Sequence, residues 1–188
     1  MRKAFKIILA IFALLVIIVV AFGAVVILDV AAYTATGSEN LNPTSSAVGK
    51  AMVVYDPGLS GAAKGVPSKV ASDLQAVGYT VTLVGIKSGA ATDTSTYNII
   101  VVGGPIYAGT PTSSVKSFLG SLSPSAGVKL GVFGSGSGAT TPEDIAQIKD
   151  AIAALSNGNS LSNTIVVKIG TGEDLNARAS DFVSQLTQ

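Results

Sequence analysis

Three short stretches of this chain carry groups able to hold a ligand: residues 56–63, 105–109 and 134–138. The first reads Asp56, Pro57, Gly58, Leu59, Ser60, Gly61, Ala62, Ala63 and lies between a strand and a helix. Backbone N–H groups there, with the positive end of the helix, suit a phosphate, and Ser60 adds a hydroxyl donor. The second, Pro105, Ile106, Tyr107, Ala108 and Gly109, follows the unbroken apolar run from Ile99 to Gly103. Such a run suits a parallel strand covered on both faces. Tyr107 then either caps the edge of the sheet or stands where open α/β sheets bind ligands, at the carboxyl end of a strand. The third stretch, Gly134, Ser135, Gly136, Ser137 and Gly138, ends another apolar strand.

Other chemistries are excluded by residue type. The chain has neither cysteine nor histidine, which removes disulfides, thiol nucleophiles, Cys/His zinc sites and any Ser-His-Asp triad. Gly134–Gly138 looks like a nucleophile elbow, yet its central residue is glycine and no histidine exists to serve it. Asp56, Glu143 and Asp144 are better used by their own turn and by a helix dipole than by a metal. Residues 50–188 hold nine Lys/Arg and nine Asp/Glu, so no basic patch argues for nucleic acid.

The elements that position these stretches alternate strand and helix. Strands are expected at Lys50–Tyr55, Tyr79–Ile86, Asn98–Gly104, Lys129–Gly134 and Thr164–Ile169. Between and after them, helical spacing marks Pro67–Val77, Thr112–Leu122, a helix opening at Thr141–Pro142, and Asp174–Leu186. Lys87–Thr96 is a small-residue loop with little room for a helix. Parallel neighbours require crossovers, so the class is α/β, a doubly wound five-stranded parallel sheet. In such a sheet the loops leaving strands one, three and four meet at one carboxyl edge, and the three stretches are those loops.

Ahead of this domain, residues 1–6 are basic (Arg2, Lys3, Lys6), and residues 7–28 form an uncharged run of 22 residues. As a helix this run reaches about 33 Å, against a hydrocarbon core of about 30 Å, and it reads as a retained single-pass transmembrane helix. The basic flank places the amino terminus in the cytoplasm and the domain outside the cell membrane. Residues 29–49, polar and small, read as a flexible linker to the domain at 50–188.

The strand VVY, the loop DPGLSGAAK, the stretch YNIIVVGGPIYAGTP with SSVKSFL after it, and GVFGSGSG together resemble the flavodoxin family over residues 50–188. The resemblance implies strand order 2-1-3-4-5 and an FMN cofactor. It implies that the loop at 56–63 holds the FMN phosphate, that Tyr107 lies at the isoalloxazine ring, and that Gly134–Gly138 lines the ring's other side. The family's phosphate loop usually ends in a run like Thr-Gly-x-Thr. Ser60-Gly61-Ala62-Ala63 keeps the first hydroxyl and lacks the last, and Pro67 predicts a helix that starts late. No second aromatic stands between Gly134 and Asp150. The function implied is a membrane-anchored FMN protein passing electrons to or from a membrane partner. The alternatives are a cofactor-free binding or sensory module of the same fold, and a flavin-dependent quinone or NAD(P)H reductase.

Overall fold

The structure, a computed structural model, describes residues 6, 7, 9–21, 35–58, 64–153 and 164–188. The chain divides into two compact units, Met1–Tyr33 and Thr34–Gln188. In the first, residues 9–21 form helix α1 with exposed side chains. Among the described residues no helix is long and apolar enough to cross a membrane. The expected membrane-crossing helix, and with it the cell-membrane location and the outside placement of the domain, is corrected accordingly. Ile8 and residues 22–28 of that expected span lie outside the described residues.

The second unit is a seven-stranded sheet between two helical layers. Its elements are β1 (Ser38–Leu41), β2 (Gly49–Tyr55), α2 (Gly65–Ala76), β3 (Tyr79–Gly85), β4 (Ile99–Tyr107), β5 (Thr110–Pro111), α3 (Ser113–Ser121), β6 (Lys129–Gly136), α4 (Pro142–Ala153), β7 (Ile165–Gly170) and α5 (Leu175–Thr187). The order across the sheet is β1-β3-β2-β4-β6-β7, with β5 paired to β4. The five strands β3-β2-β4-β6-β7 are parallel and reproduce the anticipated order 2-1-3-4-5. The strand count differs. β1 pairs antiparallel with β3, so residues 38–41, read as part of a flexible linker, extend the sheet instead. β5 adds a two-residue antiparallel strand beside β4.

Alternation along the strands divides the core. Ala51, Val53, Ile99, Val101 and Phe133 pack with Leu74 of α2 and with Phe182 and Leu186 of α5. Met52, Val54, Ile100, Val102 and Val132 face the other way, against Leu119 of α3 and Ile148 and Ile152 of α4. Runs that are apolar at every position thus serve two buried faces. The connection from β3 to β4 holds no α-helix, only a 3-10 turn at Gly89–Ala91. Ala91, Tyr97 and Ile86 cover the sheet there, and the Tyr97 hydroxyl meets Thr82 Oγ1 at 3.1 Å.

Two local outcomes depart from expectation. Helix α2 starts at Gly65, ahead of Pro67. Pro67 sits in the first turn, where N–H groups have no partner inside the helix, so its missing donor costs no bond. Strand β4 does not stop at Gly103–Pro105 but runs to Tyr107. Its pairing with β2 ends at Gly103, so beyond that point one edge is free and Pro105 fits without breaking a ladder there.

Candidate functional site

A cleft of about 460 Å³ opens at the carboxyl edge of the sheet. Four strand ends and two helix starts build it. After β2 come Pro57 and Gly58; from β4, Pro105, Ile106 and Tyr107; from β6, Ser135, Gly136 and Ser137; from β7, residues 169–173. Gly65 and Val66 of α2 and Leu175 of α5 complete the wall. The volume lies in the range of small-molecule sites, and the lining is mostly apolar with backbone polar groups between.

Each of the three stretches singled out in the sequence contributes to the cleft, through Pro57 and Gly58, through Pro105, Ile106 and Tyr107, and through Ser135, Gly136 and Ser137, while Ala108 and Gly109 are not among its lining. Leu59, Ser60, Gly61, Ala62 and Ala63 lie outside the described residues. The start of α2 beside them is described, and no acidic residue occupies its first turn, so the positive end of the helix is left uncompensated by its own side chains. Asp56 does not line the cleft. Its Oδ1 accepts the Gly58 N–H at 2.9 Å, and its Oδ2 accepts the Thr112 hydroxyl at 2.9 Å and the Ser114 hydroxyl. One carboxylate therefore fixes the turn after β2 and joins it to the start of α3. Gly134 is covered rather than open, since a Cβ there would stand 2.4 Å from Ile106 Cγ1. Gly138 approaches the β7 loop, its carbonyl 1.7 Å from where a Cβ on Gly170 would be.

Tyr107 is 51% exposed at the mouth of the cleft. Its hydroxyl lies 3.3 Å from the Cβ position of Gly58, so the ring spans toward the turn after β2. The ring is carried on a hairpin in which Tyr107 pairs with Thr110. The two residues between, Ala108 and Gly109, have φ of +49° and +78°. Two successive positive values are the signature of a type I′ turn, whose twist matches paired strands. Alanine is a poor occupant of its first position, at a cost of roughly 1–2 kcal/mol. Ala108→Asn is expected to stabilise the protein by about 1 kcal/mol and raise Tm by roughly 2–4 °C; a lower melting point in that variant would refute the assignment of strain.

The wall from β7 was missed in the sequence, although Gly170-Thr171-Gly172 carries the same glycine signal. Extending the carboxyl-edge argument to the fifth strand finds it, because β7 lies next to β6. The two loops are zipped together: Thr171 N–H donates to the Gly136 carbonyl at 2.9 Å. Glu173 Oε2 accepts the Gly170 N–H at 2.6 Å and lies 2.7 Å from the Thr140 hydroxyl. The Arg178 guanidinium stands 3.7 Å from its other oxygen. Burial pushes the Glu173 carboxyl up, but the Gly170 N–H, the Thr140 hydroxyl and N–H, and Arg178 outweigh it and hold the group below its ordinary value of 4.5.

That depression has a sign in stability. A carboxyl with a lowered folded-state value contributes stability that is full above its unfolded value and lost as pH falls through the folded one. Glu173→Gln is expected to be less stable than the parent chain at neutral pH, with the gap closing below pH 4.5. Urea midpoints measured across pH check this; a gap that stays constant into acid refutes it.

The chain matches no protein-family model and no curated protein. Among solved structures it is similar to flavodoxin 2 from Bacillus cereus (TM-score 0.54, 18% identity, 73% of this chain and 97% of that one). It is similar to the flavodoxin of Streptococcus pneumoniae TIGR4 at TM-score 0.54 and 20% identity, over 73% of this chain and 97% of the other. A flavoprotein from Lactobacillus acidophilus NCFM, solved in complex with FMN, matches at TM-score 0.50 and 15% identity, over 75% and 100%. The fold is flavodoxin-like, an α/β architecture with a predominantly parallel sheet.

Proposed function

We propose that this chain binds FMN in the cleft at the carboxyl edge of its sheet and passes electrons to or from a partner protein. The observation that carries the reading is the convergence of four strand-end loops on one cleft with a half-exposed tyrosine at its mouth. The flavodoxin-like fold supports it, as does the FMN held by the Lactobacillus flavoprotein of similar fold.

The residues present fit the ring portion of such a cofactor. Tyr107 offers a flat apolar face whose position is fixed by the type I′ turn. Ser135, Gly136 and Ser137 offer backbone and hydroxyl groups, while Leu175, Val66 and Ile169 add apolar lining. The turn after β2 and the loop at 59–63, ahead of the positive end of α2, would take the phosphate, with Ser60 supplying a hydroxyl. Asp56 acts at one remove, by holding Gly58 in place. FMN, when bound, supplies one- and two-electron transfer. The protein's part is to stack, orient and desolvate, and neither of the two carboxylates fixed around the cleft, Asp56 and Glu173, is free for proton transfer.

The reading is tested on the full chain by its visible spectrum and by fluorescence during titration with FMN. Micromolar uptake with quenched flavin fluorescence is the expected result. A colourless protein that leaves FMN fluorescence unchanged overturns the reading and favours a cofactor-free module.

A further inference from the structure

Behind the β6 wall of the cleft lies a charge that the binding reading does not use. Lys168, in the middle of β7, is 6% exposed and is the buried charged residue among the described core positions. Strand alternation sends Val167 and Ile169 to the α2/α5 face and Lys168 to the other. There its side chain runs behind Gly136, with Cε 3.5 Å from the Cβ position of that glycine. Its Nζ meets Asp144 Oδ2 at 2.8 Å. Asp144 opens α4 and also accepts the Thr141 N–H at 2.9 Å, while Thr141 Oγ1 accepts the Asp144 N–H at 3.2 Å, a reciprocal cap.

The two ends of this pair are unequal. The lysine side chain is 7% exposed and the aspartate 22%, so water screens the negative end more than the positive one. Taking an ammonium out of water is costly, and a buried ion pair seldom gains over a well-packed apolar side chain of similar size. Packing alone would therefore be met by methionine or leucine. What the lysine adds is a fixed positive field beneath Gly136, a residue that lines the cleft.

We infer that Lys168 is a positioning charge of the cleft: its buried ammonium, behind Gly136, favours the more negatively charged, reduced form of a bound flavin over the oxidised form. The inference rests on the FMN reading. In the full chain, Lys168→Met is expected to fold and to bind oxidised FMN within a few-fold of the parent. Its ratio of affinities for reduced and oxidised FMN should fall about tenfold, a midpoint potential lower by about 30 mV for a two-electron couple. Lys168→Arg keeps the charge and is expected to restore the parent potential.

Combining Lys168→Met with Asp144→Asn separates this role from the effect of a stranded carboxylate. The double variant leaves neither charge unpaired, so its potential should stay as low as that of Lys168→Met. A potential that is unchanged in Lys168→Met, or that returns to the parent value in the double variant, overturns the inference while leaving FMN binding intact. A parent chain that takes up no FMN overturns the binding reading and the inference with it.

Discussion

Replacing Tyr107 with alanine is expected to weaken FMN binding about 30-fold while leaving the domain folded. The side chain is half exposed, so the fold loses little core packing. Stacking on an aromatic contributes roughly 0.5–1.5 kcal/mol beyond the area covered. The apolar area that a flat ring shields on one face adds about 1 kcal/mol at roughly 25 cal/mol per Å². Together these give about 2 kcal/mol, or about 30-fold in Kd. Tyr107→Phe keeps the face and should bind within about twofold, since the hydroxyl reaches toward a glycine rather than a bonded partner. Fluorescence titration of the three proteins decides it. Equal affinities in Tyr107→Ala and the parent would remove Tyr107 from the site.

The second large effect lies in the sheet beneath. A Cβ added at Gly103 would stand 2.3 Å from the Phe133 carbonyl and 2.5 Å from its ring. Gly103 and Phe133 are direct partners in the β4–β6 ladder, so the obstacle is backbone that cannot swing away. Gly103→Ala is expected to cost about 3 kcal/mol, at the upper end for overpacking a core. That corresponds to a fall in Tm of roughly 6–12 °C for a chain of this size. Gly120, near the end of α3, meets nothing within 4 Å of an added Cβ. Gly120→Ala should instead stabilise by roughly 0.5–1 kcal/mol through helix propensity. Thermal melts that rank the two substitutions the other way would refute the close approach of β4 and β6.

How much of this was legible in the sequence follows from how local each signal is. The five parallel strands were readable because positions such as Val53 and Val54, or Val101 and Val102, are buried on opposite faces and so are all apolar. Strand β1 was not readable. Its residues Ser38, Glu39 and Asn40 are exposed, and what makes them a strand is their pairing with β3, together with the 3.0 Å bond from the Thr82 hydroxyl to Asn40 Oδ1. Hydropathy alone suggested a membrane span for residues 7–28, and no helix among the described residues is long and apolar enough to bear it out. The burial of Lys168 was not readable either, because only the arrival of Asp144 on α4 makes it tolerable. The cleft itself was three-quarters legible from glycine-rich strand ends. The fourth loop was hidden because its organising group is Glu173, whose bonds to Gly170 and Thr140 exist only after folding.

The connection between β3 and β4, which holds a 3-10 turn and no α-helix, bears on how the molecule breathes. One face of the β1–β3 corner is roofed by Ala91, Tyr97 and Ile86, a thin layer beside the full helices over β4 and β6. Sub-global opening starts where the fewest apolar contacts must be broken. The sheet is therefore expected to loosen first from its β1–β3 corner, on the side of β2 away from β4, β6 and β7. Amide exchange in β1 and β3 should then outpace that in the strands that carry Tyr107 and Gly136, the corner serving as a sacrificial edge for the cleft.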